Sequence, residues 1–187
     1  EMSQELGKKH SNIEFVPGDY LELSDKYWQE VIEKAKLVAN IPYNLTTPII
    51  EDLLTHRDKL SLAVMMVQKE VAQRLASKGG SKDYGSLSLY VQFHMQVELM
   101  TQVSRNCFYP PPNVDSAVIR LTPLTKPPVE VVSKEKMFKI IRGAFWGRRK
   151  TLRNTLKMSP YTHYTEEMLA MVPKSIDMNR RGETLSL

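Results

Sequence analysis

The sequence is poor in cysteine, in long apolar runs and in glycine-rich turns. Cys107 is the only cysteine in 187 residues, which excludes an internal disulfide and cannot build a metal site by itself. No metal centre is expected, and Cys107 reads as a small buried residue of a chain suited to a reducing cytoplasm. No apolar stretch approaches the roughly 18 residues of a membrane-spanning helix, so no membrane partner is expected. Residues Glu1 to His10 are polar and mixed in charge, unlike a secretory leader. Gly79-Gly80 stands alone, so no glycine-rich phosphate or dinucleotide loop is present. Internal repeats and low-complexity tracts are absent as well.

What is present is an ordinary soluble composition, 42% hydrophobic and 25% charged. The net charge of +5 is unevenly spread. Glu1 to Leu124 carries 13 Lys+Arg against 15 Asp+Glu, whereas Thr125 to Leu187 carries 13 against 6. A basic final third suits a polyanionic partner, nucleic acid or a membrane surface, although it also suits a solvated surface.

Period and punctuation place the elements. Asn12 to Val16 reads as a short strand ending at Pro17-Gly18-Asp19, and Trp28 to Lys36 as a helix with Val31, Ile32 and Ala35 on one side. Lys36 to Ala39 is a short buried strand, and Pro48 to Thr55 a helix with proline near its first turn. Leu60 to Val67 has strand length, and Lys69 to Lys78 returns to helical spacing. A Gly/Ser/Lys loop and a further helix over Ser86 to Gln96 follow. Val97 to Val103 and Ala117 to Thr122, joined without a helix, read as an antiparallel edge pair. The pattern predicts an α/β fold with a largely parallel sheet over 1–124, a linker at Thr125 to Pro128, and a small all-helical domain over 125–187. Its clearest helix is Lys136 to Trp146, with Met137, Ile140, Ile141, Ala144 and Phe145 as the packing stripe.

Ligands of α/β sheets bind at the carboxyl ends of the strands. Two polar strand ends qualify, Gly18-Asp19 and Asn40-Ile41-Pro42-Tyr43. Asn40 offers one acceptor and two donors, Pro42 removes a backbone donor so that the loop presents carbonyls, and Tyr43 supplies a flat face. Such a group can hold a planar base bearing an exocyclic amine. From chemistry alone the tetrapeptide reads first as a turn after a buried strand, and Asp19 is equally a helix cap or turn residue. An exocyclic amine is a poor nucleophile because its lone pair is delocalised. Acceptors around its N–H groups favour a tetrahedral nitrogen, so that positioning and electrostatics supply most of the catalysis.

Asn40-Ile41-Pro42-Tyr43-Asn44-Leu45-Thr46-Thr47-Pro48 resembles the catalytic motif of the ribosomal RNA adenine dimethyltransferases, and Phe108 to Val118 (FYPPPNVDSAV) resembles that family's second signature. Gln68 to Leu75, Tyr84 to Ser88 and Ala144 to Asn154 match further segments in family order. The triple proline and the last of these segments resemble the small-subunit branch. The resemblance implies a Rossmann-like class I methyltransferase sheet followed by a helical RNA-binding domain, with S-adenosylmethionine as donor. The implied substrate is a pair of adjacent adenosines near the 3′ end of small-subunit rRNA, and the implied partners are that rRNA and the small ribosomal subunit. It implies a cytoplasmic monomer. It assigns Asp19 and Asn40 to the donor, and Asn40, Ile41, Pro42 and Tyr43 to catalysis. Tyr43 and Phe108 are assigned to stacking on the target base, and Arg148, Arg149, Lys150 and Arg153 to rRNA phosphates. The family's glycine-rich donor loop, its first strand and its ribose-binding acid would precede Glu1. The expectation is therefore that the 187-residue chain alone binds the donor poorly and is inactive. A non-catalytic RNA-binding or assembly factor on the same fold is the competing expectation.

Overall fold

The computed structural model describes residues 12–147 and 149–186. Its sheet has the order β1-β2-β4-β3, from β1 (Ala35–Asn40), β2 (Leu60–Gln68), β3 (Met95–Val103) and β4 (Ser116–Pro123). β1 pairs parallel with β2, while β4 runs antiparallel to both β2 and β3. The expected antiparallel pair is present, but the described sheet is not largely parallel. The helix-free return from β3 reverses the chain direction, and β4 then inserts beside β2. Val67 lies in the middle of this layer and is fully buried, as are Ala63 and Met65, which alternate with it along β2.

Helices α1 (Tyr20–Glu30), α2 (Thr46–Thr55), α3 (Lys69–Ala76) and α4 (Ser86–His94) accompany the sheet. No strand forms over residues 12–16, where Ile13, Phe15 and Val16 stay 37–45% exposed. Among the described residues no strand lies beside them, and an unpaired strand has no ladder to satisfy its backbone. The first helix begins eight residues before the expected one. Asp19 caps it by accepting from Leu21 N at 2.8 Å, while Val31 is already extended and Ile32 is 99% exposed. The inward face of α1 is made instead by Tyr20, Ser24 and Trp28, spaced four apart. All three point polar atoms at Asp52 of α2. Tyr20 Oη donates to Asp52 Oδ2 at 2.7 Å, Trp28 Nε1 to the same oxygen at 3.0 Å, and Ser24 Oγ to Oδ1 at 3.0 Å. His56 Nδ1 lies 3.2 Å from Oδ1, and its ring stacks on Trp28 at 5.5 Å.

Helices α5 (Lys134–Phe145), α6 (Leu152–Met158) and α7 (Glu166–Ala170) enclose a second core of Ala144, Leu152, Leu156 and Leu169. The stripe of α5 differs from expectation, because Ile140 is 38% exposed. Phe138 makes the contact with the sheet layer, edge-on to Tyr90 at 4.7 Å and to Phe93 at 5.4 Å, and stacked on His94 at 5.6 Å. Burial in this aromatic nest holds His94 below its ordinary imidazole value. Gly80, at φ +88°, donates its N–H to Glu183 O at 2.7 Å. Gly182 packs so closely that a Cβ there would lie 2.5 Å from Ala144 O.

Removing the Asp52 carboxylate orphans several donors between α1 and α2. Asp52→Ala is expected to cost about 3 kcal/mol in urea denaturation. Burial first, and then the bond to Asp52, raise the Tyr20 pKa well above the ordinary 10.0. Because the folded value exceeds the unfolded one, this contribution is intact below about pH 10 and is lost as pH climbs from there toward the folded value. Tyr20→Phe should therefore shrink the alkaline fall in stability measured by denaturant titrations above pH 10.

Candidate functional site

Asp19, Asn40, Ile41 and Pro42 converge on one concavity of about 380 Å³, completed by Gly18, Tyr20, Leu37, Ala39, Leu45 and Ile49. β1 delivers Asn40 at its carboxyl end, where it pairs with Met66 of β2. The chain then turns through a 3₁₀ segment, Tyr43–Leu45, before α2. Pro48 sits in the first turn of α2, where a missing N–H leaves no intrahelical bond unmade. The two polar segments singled out from sequence thus line one concavity, although Gly18-Asp19 is a helix cap and not a strand end, and Tyr20, held by Asp52, is part of its wall.

The tetrapeptide is both a turn and a polar cradle. Ile41 is 7% exposed and belongs to the core, which fixes the backbone beside it. Pro42 O accepts Leu45 N–H at 3.0 Å, so one of the loop carbonyls already serves the turn and retains a single lone pair. Among the described residues no group hydrogen-bonds the exposed Asn40 carboxamide. Asp19 is likewise both cap and pocket wall. Its Oδ1 is bound to Leu21 N, and the other oxygen can accept from a ligand.

Tyr43 is locked by a bond that its sequence gives no reason to expect. Its hydroxyl lies 2.7 Å from Ser116 Oγ, 73 residues later and fully buried. The contact ties the first motif to the second at the start of β4. The loop before Ser116 is anchored in turn, as Asp115 Oδ1 accepts from Arg105 N at 3.1 Å and Asp115 O from Lys69 N at 3.0 Å. Phe108 is half-buried in this loop, just after the 3₁₀ segment Arg105–Cys107. Tyr109 beside it is fully exposed. Cys107 is exposed too, contrary to expectation, because it ends that short surface 3₁₀ segment and packs into neither core.

The basic residues separate into two kinds. Arg148 lies outside the described residues. Arg149 and Lys150 are exposed, and among the described residues Lys150 Nζ hydrogen-bonds only Met158 Sδ, at 3.4 Å. Arg153 is instead engaged, with Nη1 2.6 Å from Glu166 Oε2, and Lys157 Nζ reaches Oε1 at 2.9 Å. Lys157 first and then Arg153 hold the Glu166 carboxyl below its usual range.

Asp25, Asp52 and His56 bring ligand atoms within 4.8 Å of one another. Both oxygens of Asp52 are already committed to Tyr20, Trp28, Ser24 and His56, so this group is a hydrogen-bonded hub. Sequence reasoning passed over Asp52, Tyr20 and Ser116. The one available signal was the acidic pair Glu51-Asp52 set between the apolar pairs Ile49-Ile50 and Leu53-Leu54.

Comparison with known proteins finds relatives over nearly the whole chain. The protein called ribosomal RNA small subunit methyltransferase A is 46% identical in Geobacillus thermodenitrificans over 172 residues, 90% of this chain and 56% of that protein. The protein of that name in Clostridium botulinum is 41% identical, covering 98% of this chain and 66% of its own length. The Geobacter metallireducens relative is 43% identical, covering 96% and 66%. The chain thus spans between 56% and 66% of the length of these relatives. Among solved structures, a dimethyladenosine transferase from Plasmodium falciparum superposes with a TM-score of 0.72 at 25% identity, covering 99% of this chain and 72% of that one. The 23S rRNA methyltransferase ErmE superposes with a TM-score of 0.62 at 26% identity, covering 98% and 74%. The fold is that of the Rossmann-like class I rRNA methyltransferases. The ribosomal RNA adenine dimethylase family model matches residues 1–186, and the chain belongs to that family.

Proposed function

We propose that a full-length protein carrying these residues transfers methyl groups from S-adenosylmethionine to N6 of two adjacent adenosines near the 3′ end of small-subunit rRNA. The observation that carries this reading is the convergence of Asp19, Asn40, Ile41 and Pro42 on one concavity beside a tyrosine locked to Ser116. In this reading residues 1–124 form part of the catalytic domain, and residues 125–187 belong to a helical RNA-binding domain. The protein acts as a cytoplasmic monomer on the small ribosomal subunit.

The concavity suits the adenine end of the donor. Its walls are mostly apolar, and Asp19 offers a carboxylate oxygen to an exocyclic amine. S-adenosylmethionine, when bound, supplies an electrophilic sulfonium methyl. The chain's own residues prepare the nucleophile. Asn40 accepts from one N6–H of the target base, and the loop carbonyls of Ile41 and Pro42 offer a second acceptor. The nitrogen lone pair is thereby withdrawn from the ring and aimed outward. Tyr43 and Phe108 stack on the extruded adenine, a contact worth roughly 1–3 kcal/mol per base. The Ser116 bond fixes the Tyr43 ring in advance of binding. Methylation makes the nitrogen acidic, so its proton passes to solvent without a dedicated base.

Phosphate binding falls first to Arg149 and Lys150, with Arg148 beside them in sequence. Arg153 must exchange Glu166 for a phosphate.

Asn40→Ala in the full-length protein should lower methyl transfer to unmethylated small subunits by about 10²–10³-fold, with rRNA binding retained. Unchanged transfer, followed with labelled donor, overturns the assignment of Asn40. Binding with no transfer by the unmodified protein moves it to the assembly-factor class. Arg149→Ala should reduce the slope of log affinity against log salt by about one. Glu166→Gln, which frees Arg153 and Lys157, should tighten rRNA binding about threefold at low salt.

A further inference from the structure

A second concavity lies beside the first, across the ends of β2 and β4. Its volume is about 440 Å³, and its walls include Gln68, Lys69, Gln73, Arg105 and Asn113, with two carboxylates, Glu70, which is paired with Arg74, and Asp115. The sheet register fixes its place. Gln68 ends β2 and pairs with Ser116, the residue that locks Tyr43, while Asn40 ends β1 on the other side of β2. Two strand spacings, about 10 Å, separate β1 from β4, a span that one unstacked dinucleotide step covers.

The lining chemistry is selective. Three carboxamides, Gln68, Gln73 and Asn113, face one cleft, and among the described residues none is hydrogen-bonded to another protein group. A carboxamide pairs with adenine in bidentate fashion, accepting from N6–H and donating to N7. Two cations stand with them. Asp115 fixes both backbones, yet Lys69 Nζ is 3.9 Å from its carboxylate, and Arg105 Nη1 makes only a 3.5 Å contact with Asn113 O. Lys69 is thus held only by a long ion pair and Arg105 by one long contact, which leaves N–H donors on both for a phosphate.

We infer that this cleft receives the nucleotide adjacent to the target adenosine, with its carboxamides reading an adenine and Lys69 and Arg105 gripping the phosphate. The inference rests on the adenosine-methylating function proposed above and adds a subsite to it. It makes each adenosine of the pair part of the recognition of the other.

The test uses the full-length protein and small subunits reconstituted with rRNA in which one adenosine of the pair is replaced by G, C or U. With the unmodified protein, transfer to the remaining adenosine should fall about tenfold on replacement of its neighbour. A Gln73→Ala, Asn113→Ala double variant should transfer to the unaltered pair at that reduced rate and become indifferent to the neighbour. Both residues are exposed, so the variant keeps the fold, which circular dichroism checks. If the unmodified protein ignores the neighbour, or the variant still discriminates, the subsite is wrong while the proposed function stands. Absence of transfer by the unmodified protein to every substrate overturns both.

Discussion

The Asp52 carboxylate is the constraint on which the site's geometry rests. A carboxylate placed between two helices is tolerated only when its lone pairs are met, and here α1 meets them with three side chains from successive turns. That demand sets the rotation and depth of α1 against α2. The rotation then places Tyr20 and Asp19 in the wall of the concavity at Asn40. A purely apolar helix pair of the same size could slide or rotate at little cost, whereas directional bonds to one anion leave a single register.

A second directional bond does the corresponding work at the sheet. Tyr43 and Ser116 belong to segments far apart in sequence, and neither segment alone positions an aromatic ring. The 3₁₀ turn after β1 brings Tyr43 to the strand ends, and β4 brings Ser116 there from the opposite direction. The bond is made before any ligand arrives, so the ordering of a tyrosine side chain is a cost of folding and not of binding.

Much of this was legible in the residues. The strands over Leu37, Met65 and Ile119 stood out because apolar runs bounded by turn chemistry have few alternatives. The cradle of Asn40 to Tyr43 was legible because its composition is unusual for a plain turn. The helix over Tyr20 to Glu30 was misplaced because its inward face carries hydroxyl and indole groups, which a hydrophobic pattern counts as outward. The same blindness hid Asp52 and Ser116, whose meaning lies in partners 24 to 73 residues away. Arg153 looked like a free cation because an ion pair with Glu166 leaves no mark on local spacing. The exposure of Cys107 depended on the path of a loop, and loop paths are set by distant anchors such as Asp115.

The helical layer is fastened to the sheet layer at more than one point. Phe138 is wedged among the rings of α4, and the segment around Glu183 is stitched back to Gly80. Separate attachments remove the swing that one would allow, so the distance from the exposed cations near Lys150 to the pocket at Asn40 is set by the fold. Such a body behaves as a caliper. On the proposed function, a flexible strand can offer an adenosine anywhere, but only a folded nucleic acid holds a reachable base and a phosphate ridge at one matching separation, so rigidity itself becomes a filter for shape.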